Sequence, residues 1–302
     1  RAKPSLHASQ LNTTGKPFHM GNPDNTATNV EESDPGSTYT VTPKPAEIPV
    51  DPYDPHWCGL DDMVRSGWFL QASDEVLTGF RIEHDDVVLD IGCGNGGATM
   101  FAANRGAHII CSDVNPARVE ELVQRILAET PSQSCKGVVC DSNPLLLPDA
   151  CATKIMSLEM LEHVENPAAV LKELYRVGRP GALYLLTVPD PVGEELQKKY
   201  APAACFEKPN HINIFQRKEF ARLVTDAGLV IEQTHLSGFF WTFWMCLFWA
   251  CDQELEPPWH PLLENWTKTW CALLNLPDGQ RIKKVFDEFM PKTQAIIARK
   301  PF

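Results

Sequence analysis

The run Asp90-Ile91-Gly92-Cys93-Gly94-Asn95-Gly96-Gly97 is the part of this chain best suited to hold a ligand. It follows an apolar stretch, Val87–Ile91, and opens a helix-compatible stretch, Ala98–Asn104. Glycines let the backbone turn sharply and let a bound group approach where a Cβ would stand in the way. The helix start beyond them offers N–H groups with no partner inside the helix. Dinucleotide binders also carry glycine-rich turns. The acid two positions before the first glycine, with glycines at 92, 94, 96 and 97, marks this one out. Asp113 closes the apolar run that starts at His108, 21 residues after Gly92. A carboxylate there can accept both ribose hydroxyls of an adenosyl group. Asp141-Ser142 ends the next run and can meet the adenine edge. Each acid alone reads equally well as a turn residue. Three of them at the carboxyl ends of successive strands mark the edge where open α/β sheets bind ligands.

A second set could move protons. Glu159, Glu162 and His163 form Glu-x-x-Glu-His, and His211 lies farther along. These types can accept a proton from an acceptor or ligate a metal, and the spacing groups the first three if the segment is helical or turn-like.

Strands and helices must position both sets. Val87–Ile91, His108–Asp113, Gly137–Asp141, Lys154–Glu159 and Ala182–Pro189 are short, nearly continuous apolar runs, as in a parallel sheet covered on both faces. Asn115-Pro116 and Asn166-Pro167 pair an N-cap with proline at the first helical position, opening helices over Ala117–Glu129 and Ala168–Val177. The alternation predicts right-handed βαβ units and a doubly wound, mostly parallel α/β sheet. Arg217–Ala227 reads as a helix stopped by Gly228, with strands at Leu229–Leu236 and Thr293–Arg299. Residues 51–80, with Trp57, Trp68 and Phe69, read as a helical cap. Residues 1–50, rich in proline and poor in aromatics, read as a disordered or loosely ordered arm.

Composition excludes some roles. A net charge of −12 disfavours binding to phosphate backbones, and no Lys/Arg cluster stands out, so no nucleic-acid partner is expected. Ten cysteines without a Cys-x-x-Cys pair read as reduced thiols of a cytoplasmic protein rather than a disulfide or zinc framework. The first ten residues lack the apolar core of a signal peptide.

The combination Asp-Ile-Gly-Cys-Gly-x-Gly, the acid after the second strand, Leu158-Glu-Met-Leu-Glu-His-Val-Glu-Asn-Pro167 and Arg176-Val-Gly-Arg-Pro-Gly-Ala-Leu183 resembles the class I S-adenosylmethionine-dependent methyltransferases. The branch most resembled is that of ubiquinone and menaquinone biosynthesis, over Val87–Pro189 and loosely as far as Phe215. The resemblance implies a seven-stranded Rossmann-like sheet and S-adenosyl-L-methionine as cofactor, with Asp90, Gly92, Cys93, Gly94, Gly96, Asp113, Val114, Asp141, Ser142 and Glu159 around it. It implies direct in-line transfer to an acceptor, with His163, His211 and Glu159 as candidates for removing a proton from oxygen. Glu159, Glu162, His163 and His211 also resemble the divalent-metal site of small-RNA 2′-O-methyltransferases and of some quinone-pathway O-methyltransferases. Metal-free relatives carry the same letters, so no metal is expected. Two positions depart from the pattern: Ala152-Thr153 replaces an aromatic–Asp pair, and Ala182 replaces a glycine.

The resemblance does not cover residues 237–291, which hold six of the eight tryptophans. Phe239–Ala250 has one polar side chain in twelve residues, too short for a membrane span, for which roughly twenty are needed. No Lys or Arg lies between Arg222 and Lys268 to attract anionic lipid, although peripheral membrane association stays open. The expectation is a helical lid whose aromatic face borders the pocket of a small-molecule or lipid-like acceptor; a homodimer contact is the alternative. A sugar or polysaccharide acceptor, and a non-catalytic adenosyl-binding module, are the competing functions.

Overall fold

The computed structural model describes residues 53–302; the arm expected over residues 1–50 lies outside them. The first element of the described residues is α1 (Pro55–Arg65), capped by the Asp54 carboxylate. Next come three short antiparallel strands, β1 (Trp68–Leu70), β2 (Glu75–Leu77) and β3 (Phe80–Arg81). This corrects the helical cap expected over 51–80, since among the described residues of that segment only α1 is helical. Glycines at 67 and 79 take left-handed backbone and turn the chain too tightly for a second helix.

The core then alternates as β4 (Val87–Ile91), α2 (Gly97–Ala103), β5 (His108–Asp113), α3 (Pro116–Glu129), β6 (Ser134–Val139), β7 (Ala152–Leu158), α4 (Pro167–Val177) and β8 (Gly178–Pro189). The Asn115 side chain accepts from the Ala117 and Arg118 N–H groups, and Asn166 accepts from Ala169, as their Asn-Pro signatures require. After β8 come α5 (Pro191–Gln197), α6 (Arg217–Asp226), β9 (Val230–Ser237), α7 (Phe239–Cys251), α8 (Pro261–Leu274), α9 (Gly279–Phe289) and β10 (Thr293–Arg299). Strand β6 ends at Val139, two residues before the expected Asp141, which leaves that acid in a loop.

The large sheet runs β6-β5-β4-β7-β8-β10-β9. Strands β4 to β8 run parallel to one another; β10 is antiparallel to both β8 and β9. The chain winds from β4 outward to β6, then crosses back to β7. The carboxyl ends of β4 and β7 therefore flank a topological switch point, the crevice where such sheets bind ligands. Buried aliphatic side chains on both faces of the sheet form two cores beneath α2, α3, α4 and α6.

The insertion between β9 and β10 is helical, as expected, and builds a third core of its own. Helix α7 packs on α1, α5, α8 and α9. Phe240, Trp244, Phe248 and Trp270 are almost fully buried among these helices. A Cβ at Gly59 would run into the Trp241 indole, so this glycine lets α1 and α7 approach closely. Polar groups lock the unit. Lys283 lies 3.0 Å from Asp62 and 2.6 Å from Asp287, and all three are buried. Trp270 donates to Asp62, and the first N–H of α7 donates to Asp287. Burial pushes the Asp62 carboxyl up to about 6 despite the Lys283 ammonium beside it. Among the described residues no helix is long and apolar enough to cross a membrane.

Candidate active site

The glycine turn sits at the carboxyl end of β4, and each residue expected there has a distinct place. Asp90 is not at the surface of the turn: it is buried and accepts from the Thr99 hydroxyl at 2.5 Å, tying β4 to α2 from below. Burial raises its carboxyl to about 7. The Cys93 N–H donates to the Ser112 carbonyl, which joins the turn to β5. Gly92, Gly94 and Gly96 all have left-handed backbone. At Gly92 and Gly96 a Cβ would also strike Met160 and Leu122, so packing alone explains those two. At Gly94 a Cβ would meet only the Gly92 carbonyl at 4.0 Å, and at Gly97 it would meet nothing. The open side of the turn is therefore at Gly94 and Gly97, where a ligand can lie against backbone. Glycines 92, 94 and 97 also satisfy Gly-x-Gly-x-x-Gly, so glycine spacing does not itself separate this turn from a dinucleotide site.

Asp113, at the end of β5, faces that opening. Its Oδ2 accepts from the Gly94 N–H at 3.1 Å and its Oδ1 from the Asn115 N–H at 2.9 Å. Each oxygen keeps a lone pair for a ribose hydroxyl, which is what an adenosyl ligand requires. Val114, beside it, is exposed. Ser142 is buried in left-handed backbone, while Asp141 is exposed and accepts from Asn143. Residues other than glycine held in that conformation store strain and cluster at functional sites. Glu159, at the end of β7, is another such residue, with φ +52°.

The proton-moving set is brought together in part. Leu161–His163 form one 3-10 turn after β7. The Glu162 carbonyl accepts from the Ile212 and Asn213 N–H groups, and the Asn213 side chain donates to Val164, which fastens the His211 segment against this turn. The rings of His163 and His211 meet edge to face at 4.9 Å. His163 Nδ1 donates to the Pro209 carbonyl at 3.1 Å, and His211 Nδ1 meets the buried Glu194 carboxylate at 2.7 Å. In the tautomer that keeps the proton on Nδ1, Nε2 of each ring carries the lone pair. Glu162 is completely buried, and neither of its carboxylate oxygens has a hydrogen-bond partner. One ligand atom each from Glu162, His163 and His211 lies within 4.8 Å of the others.

Burial, with Glu159 nearby, pushes the Glu162 carboxyl well above its ordinary range. Burial and His211 lower His163. Burial would raise Glu194, but His211 and Lys292 outweigh it and hold that carboxyl low. Glu159 does not join the triad. Its Oε2 accepts from Lys292 Nζ at 3.0 Å, and its Oε1 accepts from Thr187 and Thr293 at 3.1 and 3.2 Å.

A family model described as a methyltransferase domain matches residues 69–234, more than half of the chain. The chain belongs to this methyltransferase family. Among curated relatives it is 27% identical, over 181 residues, to a ubiquinone biosynthesis O-methyltransferase of Aeromonas salmonicida, covering 56% of this chain and 70% of that protein. It is 30% identical, over 123 residues, to a 2-methyl-6-phytyl-1,4-hydroquinone methyltransferase of Synechocystis, covering 40% of this chain and only 36% of that one. Among solved structures it is similar to the [4+2]-cyclase SpnF, with TM-score 0.50, 17% identity and 81% of each chain covered. That last likeness concerns the fold alone.

As an S-adenosylmethionine-dependent methyltransferase, the protein needs a cofactor edge and an acceptor side, and the two sets of residues lie on adjacent strand ends. Glu194, Lys292, Thr187 and Thr293 complete the cluster around Glu159 and His211 and were not singled out from the sequence. Nothing in their spacing marks them; β8, α5 and β10 bring them beside Glu159 and His211. Thr153, where the sequence departs from the family pattern, donates to Asp86 and accepts from the Val87 N–H, a structural role away from the ligand edge.

Proposed function

We propose that this methyltransferase transfers a methyl group to a hydroxyl oxygen of a small, largely apolar acceptor. The observation that carries this reading is the His211–Glu194 pair beside the end of β7. Glu194 holds Nδ1 at 2.7 Å, so the Nε2 lone pair is available to accept a proton from an attacking hydroxyl. S-adenosylmethionine supplies an activated methyl on a sulfonium; the protein holds it along Gly94, Gly97 and Asp113. Alignment of the hydroxyl with that methyl supplies most of the acceleration, with removal of the proton at His211 as the chemical assistance. The names of the relatives, which cover quinone, phytyl-hydroquinone and, in Pneumocystis carinii, sterol methyltransferases, support an apolar acceptor. The neighbouring aromatic core of α7 to α9 supports it too.

A second reading of the same atoms is favoured by Glu162. A fully buried carboxylate without a hydrogen-bond partner is costly. Two imidazoles whose Nδ1 atoms are fixed by a carbonyl and a carboxylate are oriented as metal-ligating histidines usually are. Glu162, His163 and His211 therefore fit a divalent cation, whose charge would favour loss of the acceptor's proton. Both readings use the His211 Nε2 lone pair, which a bound cation would occupy, so they make opposite predictions under chelation.

The test is transfer from methyl-labelled S-adenosylmethionine to a panel of phenols, catechols and prenylated hydroquinones, with and without a chelator. Labelled O-methyl product that survives chelation and falls in His211→Ala supports the His211 base. Product that disappears on chelation and returns with Mg(II) or Mn(II) supports the cation. Label found only on carbon or nitrogen would reject the hydroxyl acceptor.

A further inference from the structure

We propose that Lys292 is a tethered counter-cation that keeps Glu159 out of the cation site and sets its protein ligand number at three. The inference rests on the cation reading above. The spacing Glu159-x-x-Glu162-His163 offers two carboxylates, yet only Glu162 joins His163 and His211. Glu159 is committed elsewhere. Its two oxygens take one ammonium and two hydroxyls, from Lys292, Thr187 and Thr293, on the β8 and β10 side of the crevice. Its N–H also donates to the Thr187 hydroxyl at 3.0 Å. Lys292 supplies at Glu159 the positive charge that a divalent ion would otherwise supply, and a fixed cation beside the triad repels a second one.

Lys292 is placed rigidly enough for this. Its N–H donates to Ser237 and its carbonyl accepts from Asp190, both at 2.9 Å. A Cβ on Gly238 would come within 2.9 Å of Lys292 Cβ, so the chain passes it closely. Lys292 is also the residue through which the insertion re-enters the sheet, one position before β10. The seating of the helical insertion thereby sets where the ammonium stands. The pair is a quarter to a third exposed, within reach of an ion from solvent.

The experiment is Mn(II) titration of the full chain, followed by electron paramagnetic resonance of free Mn(II) and by calorimetry. Lys292→Met should bind Mn(II) about 10–100-fold more tightly than wild type, the span over which residues around a metal tune its affinity. Lys292→Arg should stay at the wild-type level, and Glu159→Gln/Lys292→Met should lose about tenfold or more of the gain. Glu159→Gln alone keeps the shape of the site but leaves the Lys292 ammonium uncompensated, so Mn(II) affinity should fall by less than about tenfold; it still tests the proposal if Lys292→Met fails to fold. Equal or weaker binding by folded Lys292→Met, or a loss of more than tenfold in Glu159→Gln, overturns the role of Lys292 while leaving the triad intact. Mn(II) bound by none of the variants overturns the cation reading itself, and this inference with it.

Discussion

Ser237 and Thr293 are register partners on β9 and β10, and the Thr293 hydroxyl stands 3.2 Å from Glu159 Oε1. The helical insertion therefore leaves and re-enters the sheet at one point, beside Glu159. A unit rooted there brings its own aromatic core next to the Glu159 cluster.

Trp244 gives the first prediction. It is 1% exposed, packed against Phe248, Trp241 and Trp259 inside the insertion. Its packing there contributes to the stability of that unit. Trp244→Ala should cost about 3–5 kcal/mol, the range for emptying an aromatic core site. Urea unfolding that shows less than about 1 kcal/mol of loss would mean that Trp244 is not in a packed core.

Asp90 gives a pH dependence. Its folded carboxyl is raised from 3.8 to about 7, so the stability it contributes is full below about pH 4 and is lost as pH rises through about 7. Asp90→Asn can still accept from Thr99 and does not ionise. Relative to that variant, wild type should lose on the order of 1–4 kcal/mol between pH 4 and 8. Parallel unfolding curves for the two proteins across that range would show that Asp90 does not titrate there.

Glu194→Gln should leave His211 without its anionic partner while preserving a hydrogen bond. We expect kcat to fall about 10–100-fold with little change in cofactor Kd. A KM effect with kcat intact would reduce Glu194 to an element of acceptor binding.

Much of the fold is legible in the sequence because β4, β5, β7 and β8 are largely buried and so appear as apolar runs, whereas the edge strand β6 is mostly exposed. Asn115-Pro116 and Asn166-Pro167 announce their helices through capping chemistry that acts within three residues. The strands between Trp68 and Arg81 are not legible because they are two or three residues long, below the length at which alternation can be read. The proposed cofactor residues are legible in part for the same reason as the sheet: Gly92–Gly97 follow β4 and Asp113 ends β5, both readable runs, while Ser142 lies in a loop beyond β6. The cluster around Glu159 and His211 is not. His211 meets Glu194, and Glu159 meets Lys292, across 17 and 133 residues of chain, and only the folded sheet creates those pairs.

The proposed seat of S-adenosylmethionine, along Gly94, Gly97 and Asp113, is tested most directly by calorimetric titration with S-adenosylhomocysteine. Asp113 would hold the ribose with the lone pairs left over from Gly94 and Asn115. Asp113→Ala should lose about 1.5–3 kcal/mol, roughly 10–150-fold in Kd, as expected for hydrogen bonds to a charged group. Wild-type protein that binds no S-adenosylhomocysteine, or an Asp113→Ala variant that binds it equally well, would contradict that placement.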